Sequence, residues 1–114
     1  MKDYRGEFEY KGKVYKLMFN LNVMEQIQDE YGSIDKWGKL TEGENGEPNV
    51  KAVKFGFTAM INEGIDIENE SLEEPRPLLT TKQVGRLITK MGTENAVTQL
   101  NNAIVESTKS EEKN

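Results

Sequence analysis

Glycines punctuate this chain in a way that leaves few folds open. Gly12 separates two stretches rich in aromatic and β-branched residues, and Gly32, Gly64 and Gly92 each follow a run whose apolar residues recur three and four apart. That order of signals predicts a β-hairpin followed by short helices, each closed by a residue that tolerates left-handed backbone. The hairpin reading places residues 4–10 and 13–19 in strands joined by a two-residue Lys11-Gly12 turn. With Tyr10 opposite Lys13, Phe8 faces Tyr15 and Tyr4 faces Phe19, so four rings and Leu17 share one side, while Glu7 and Lys16 pair on the other. A slip of one residue would turn the aromatic side to water.

The helical stretches carry their own start signals. Asn22 and Glu25 have capping-box spacing, and Met24, Ile27 and Tyr31 follow at helical intervals up to Gly32. Ser33 caps a second short helix bearing Ile34, Trp37 and Leu40, and the stretch from Thr41 to Pro48 reads as a loop from its turn residues. Asn49 opens a helix expected to run through Glu63 and stop at Gly64, with Val50, Val53, Phe57, Met60 and Ile61 as its apolar stripe. Phe55 lies off that stripe, either packed on the hairpin or exposed. Thr80 and Gln83 form another capping-box pair ahead of Val84, Leu87, Ile88 and Met91, and Gly92 ends that helix. Thr93 begins the last helix, whose narrow face is Ala96, Val97, Leu100, Ala103, Ile104 and Ser107. Residues 109–114 are wholly polar and are expected to be a disordered tail after a single domain spanning 1–108.

Charge is unevenly placed. Between residues 63 and 77 stand Glu63, Asp66, Glu68, Glu70, Glu73 and Glu74 against Arg76, a balance of −5 that equals the net charge of the whole chain. With Pro75 and Pro77, this stretch reads as a long solvated loop. Lys82, Arg86 and Lys90, spaced four apart, make a basic stripe along the following helix, either a solvated face or a docking stripe for an acidic partner segment.

Composition bounds the function. A chain of 114 residues is sized for one domain, and 35% hydrophobic against 31% charged residues implies a small core. Net charge −5 argues against a duplex-binding surface, so nucleic acid is not an expected partner. Without cysteine or histidine there is no disulfide, zinc-thiolate site, thiol nucleophile or imidazole proton shuttle. The opening Met-Lys-Asp-Tyr-Arg-Gly runs straight into charge, predicting neither a signal peptide nor a membrane span, and hence a soluble intracellular protein. Asp66, Glu68 and Glu70 begin like a calcium loop, but Ser71 stands where the turn needs glycine and Pro77 where the bidentate glutamate belongs. No glycine run suits a phosphate and no carboxylate pair suits acid/base work, so neither cofactor nor enzymatic activity is expected. Trp37 is the single tryptophan, a core residue or an exposed partner anchor.

Taken in order, Tyr10-Lys-Gly-Lys-Val-Tyr-Lys-Leu17, Leu21-Asn-Val-Met-Glu25, Ile27, Tyr31-Gly-Ser33 with Trp37, Met60-Ile-Asn-Glu-Gly64 and Thr80-Thr-Lys-Gln-Val-Gly-Arg86 make a recognisable set. Over about residues 8–107 the sequence resembles the small tail assembly chaperones of long-tailed bacteriophages and prophages of Gram-positive hosts. The resemblance implies a non-virion helper in the host bacterial cytoplasm. Such a helper binds the tape measure protein, keeps its hydrophobic helices from aggregating and recruits tail tube protein; homo-oligomers are a further expectation. The family often produces two lengths by a programmed frameshift, and Glu112-Lys113-Asn114 can be encoded by codons containing a slippery A-AAA-AAC heptamer, so the expectation from the resemblance is that this chain is the short product of such a pair. A structural virion component, such as a head-tail adaptor or tail terminator, is the rival reading.

The expected fold is therefore α+β and mainly α, an N-terminal β-hairpin packed on four or five short helices. Candidate partner-binding residues are Trp37, Leu40 and Phe55, together with Lys82, Arg86 and Lys90. No catalytic, metal or cofactor residue is assigned.

Overall fold

The computed structural model describes residues 7–112, with side chains through Thr108. It is an α+β fold, mainly α: strands β1 (Glu7–Tyr10) and β2 (Lys13–Lys16) precede helices α1 (Leu21–Tyr31), α2 (Ile34–Glu42), α3 (Val50–Asn69), α4 (Thr81–Met91) and α5 (Thr93–Glu112). The radius of gyration is 13.8 Å, close to the ~13 Å of a compact chain this long.

Lys11 and Gly12 both take positive φ, 53° and 78°, the geometry of the two-residue turn that matches strand twist. The register pairs Tyr10 with Lys13, Phe8 with Tyr15 and Glu7 with Lys16, as expected. The second strand stops at Lys16 and not at residue 19, and the expected residues 4–6 of the first, with Tyr4 opposite Phe19, lie outside the described residues. After β2 the chain turns onto α3, and the Met18 N–H donates to the Met60 carbonyl at 3.1 Å. This redirects Phe19 and Asn20 away from a longer ladder.

That early anchor also moves the start of α1. The cap is Asn20, whose side chain accepts from the Val23 N–H at 3.2 Å, and not Asn22 with Glu25. Asn22 lies inside the helix and donates its amide to Glu63 at 3.1 Å. Ser33, Asn49 and Thr80 cap α2, α3 and α4 as expected, the last in a reciprocal capping box with Gln83. Helix α2 runs two residues into the expected loop, with Thr41 buried and its hydroxyl donating to the Gly38 carbonyl at 2.8 Å.

The largest departure is at Gly64, which does not stop α3. The helix continues to Asn69, and Gly64 is buried in its interior. Its missing side chain admits the hairpin: a Cβ there would collide with the Lys16 carbonyl. The acidic stretch from residue 63 to 77 is consequently helix up to Asn69, with a shorter connector at 70–80. Val50, expected in the apolar stripe, is 65% exposed at the first helical position. Helix α3 is the hub, packing against α1, α2, α4, α5 and β2. Its Val53, Phe57, Met60, Ile61 and Ile65 are buried among Val23, Ile27, Val84, Leu87 and Leu100, while Met91 is only half-buried. Phe8 reaches Phe57 with ring centroids 5.8 Å apart. In α5 the face expected to pack does so through Ala96, Leu100 and Ala103. Its backbone stays helical to Glu112, four residues past the expected domain limit at 108.

Candidate binding surfaces

Trp37 belongs to the core, so its assignment as a partner contact is corrected. It is 2% exposed, its indole N–H donates to the Ala52 carbonyl at 2.9 Å, and its six-membered ring occupies the space where a Cβ of Gly56 would stand. An amphipathic ring gains most from burial when its one donor finds an acceptor, and α3 supplies both acceptor and clearance.

Leu40, one turn along α2, lies 37% exposed on the rim of an open groove of about 700 Å³. The groove is lined by Tyr31 from the end of α1, by Lys36, Lys39 and Leu40, and by the turn from Gly43 to Glu47. Turn chemistry builds that wall. Asn45 and Gly46 take φ of 59° and 78° between a Glu44–Glu47 bridge, and the Asn49 N–H returns to the Leu40 carbonyl at 2.8 Å. The rims differ in charge, Lys36 and Lys39 on the helix against Glu44 and Glu47 on the turn. Among the described residues, Lys39 alone of these is paired, with exposed Asp35 at 3.5 Å, a contact of ~0 to 1 kcal/mol.

Tyr31, which lines this groove, meets Phe55 edge to face at 5.5 Å and 74°. The Tyr31 hydroxyl is buried without a hydrogen-bond partner among the described residues. Its phenol pKa is pushed above 10.0, chiefly by burial and secondarily by the carboxylate of Glu30. Phe55 is half-buried, and it packs on α1 rather than on the hairpin. It also lines a smaller depression, of about 270 Å³, with Ala59, Thr58, Asn62, Asp66 and Leu78. The polar groups there largely serve the scaffold. Asn62 holds the Leu79 backbone through two bonds of 2.9 and 2.8 Å, and Glu63 accepts from Asn20 and Asn22.

Lys82, Arg86 and Lys90 are all exposed on α4, opposite buried Val84, Leu87 and Ile88. Leu40 and Phe55 are thus joined through Tyr31, whereas the three cations form a separate surface. Sequence reasoning missed Tyr31, read only as a helix-stripe residue, and Arg76, read only as a countercharge. The Arg76 guanidinium donates to the Val14 carbonyl at 2.8 Å, pairs with Glu68 at 2.8 Å and lies 4.7 Å from the Tyr15 ring centre. A lone cation within an acidic run was the available signal.

Among the described residues no cluster of three or more acidic side chains could hold a metal ion, and no helix is long and apolar enough to cross a membrane. Compared with known proteins, the chain matches no protein-family model, no curated protein and no solved structure.

Proposed function

We propose that this protein is a tail assembly chaperone of a long-tailed bacteriophage or prophage. In this reading it works by binding alone, in the host cytoplasm. It holds helices of the tape measure protein and helps bring tail tube subunits to them. The observation that supports the reading is the groove between Tyr31, Leu40 and the Gly43–Glu47 turn, a depression at the molecular surface in which two apolar side chains stand between cationic and anionic rims.

An amphipathic helix suits such a groove because it presents apolar side chains three and four residues apart. Leu40 and Tyr31 would meet that stripe, and the two rims would meet charges flanking it, which favours one orientation of the client over its reverse. Lys36 and the carboxylates stay solvated at the edge, where they contribute more to selectivity than to affinity.

Co-expression of the chain with helical segments of the tape measure protein from the same phage tests the reading. Leu40→Glu should weaken capture by about tenfold, the scale of losing one interface anchor. Leu72→Glu, at an exposed connector position, should leave it unchanged. Equal capture by Leu40→Glu and the parent would reject the groove. Recovery of the chain as a stoichiometric part of finished particles would replace the chaperone with a structural virion component.

A further inference from the structure

The outward face of α4 is basic in a chain whose net charge is −5. Lys82, Arg86 and Lys90 follow one another along it, all exposed, and α4 carries no acidic residue. Lys54 of α3 extends the same surface. Its Cε and Nζ lie 3.4 and 3.5 Å from the position a Cβ on Gly85 would occupy. Among the described residues none of these four cations has a carboxylate within 4.0 Å. Eight residues of helix place the outer two cations about 12 Å apart along the axis.

The complementary surface is on the same chain. Glu70, Glu73 and Glu74 are exposed in the turn that follows α3, and they too lack a cationic partner among the described residues. The turn is pinned at its base. Asn69 grips Arg76 from both sides, donating to its carbonyl at 2.9 Å and accepting its N–H at 3.0 Å, which closes the base of the loop beneath the three carboxylates.

We infer that the basic face of α4 docks the acidic Glu70–Glu74 turn of a second copy of this chain. Within one molecule the pinned turn and the α4 cations make no ion pair in the described residues, so both patches remain available to a neighbour. The contact is polar and solvent-exposed, hence dependent on ionic strength: the screening length is about 30 Å at 0.01 M salt and shorter than 10 Å above 0.1 M. It is independent of the groove on α2, and either surface can be lost without the other.

Sedimentation equilibrium of the full chain at millimolar concentration tests this. The association constant should fall at least about tenfold between about 0.01 M and 0.3 M salt, where screening removes the attraction. The Lys82→Glu, Arg86→Glu, Lys90→Glu triple variant should be monomeric at low salt, and so should Glu70→Lys, Glu73→Lys, Glu74→Lys. A variant with Lys11→Glu, Lys13→Glu and Lys16→Glu shifts the net charge as far as the α4 triple but on the hairpin, and it should still associate. Circular dichroism of each checks that these exposed changes leave the fold intact. A parent chain that is monomeric at both salts overturns the inference, as does a hairpin variant impaired as much as the α4 variant. Binding of added polyglutamate to α4 by a chain that never self-associates would also overturn it, and would assign the face to a different acidic protein.

Discussion

Of the four glycines inside helices, where no turn is made, three meet plainly different surroundings. A Cβ at Gly64 would strike the Lys16 carbonyl, one at Gly56 would strike the Trp37 ring, and one at Gly38 would meet nothing within 4 Å. Gly64→Ala gains up to ~1 kcal/mol of helix propensity but forces hairpin backbone off α3, an overpacking cost of ~1–3 kcal/mol. Because backbone cannot rotate aside as a side chain can, the net expectation is a loss of about 2 kcal/mol in urea denaturation. Gly38→Ala should instead raise stability by about 0.5–1 kcal/mol, since it brings the propensity gain without a collision. Equal effects at the two positions would show that the hairpin is not seated on α3 as described. The same residue-by-residue reasoning separates Asn20 from Asn22. Both can cap a helix, and the choice falls to Asn20 because the Met18–Met60 hydrogen bond has already ended the extended segment.

At the scale of elements, the connector after α3 is fastened rather than merely solvated. Asn62 grips Leu79, Asn69 grips Arg76, and Arg76 reaches across to Val14 and the Tyr15 ring. Arg76→Ala removes a charged hydrogen bond to a carbonyl and a cation–π contact together, and should cost about 1–3 kcal/mol. It should also speed cleavage after Glu70 and Glu73 by a glutamate-specific protease, because the segment loses its tie to the hairpin. Arg76→Lys should recover less than half, since an ammonium cannot spread over the ring while bonding Val14 and Glu68 at once. Unchanged cleavage in Arg76→Ala would show that the asparagine clasps suffice. Acidic residues and two prolines made this stretch read as loop from residue 63, and the helical part up to Asn69 was hidden because Gly64 looks like a stop whenever its tertiary neighbour is unseen.

For the whole molecule, α3 is the common support: the hairpin, α1, α2, α4 and α5 all pack on it. A core organised around one helix should unfold as a unit. Trp37, the single tryptophan, is buried on α3 through Ala52 and Gly56 and so reports that core. Urea transitions followed by its fluorescence and by circular dichroism are expected to coincide. A fluorescence change well ahead of the loss of helicity would mean that α2 leaves α3 early, and with it one wall of the Tyr31–Leu40 groove.

The features legible in the amino-acid sequence alone are those that neighbours along the chain decide. The hairpin register follows from alternating side chains around Lys11-Gly12, and the caps at Ser33, Asn49 and Thr80 follow from a side-chain oxygen within reach of backbone N–H groups three residues on. The α+β class and the basic stripe on α4 follow from the same local periodicity. Contacts between distant residues decided the rest: whether Trp37 faces solvent or Gly56, whether Gly64 ends a helix or admits a strand, and that Tyr31 packs against Phe55. Those choices depend on which surfaces fill one another's space, and packing of that kind exists only once α3 has gathered the other elements around it.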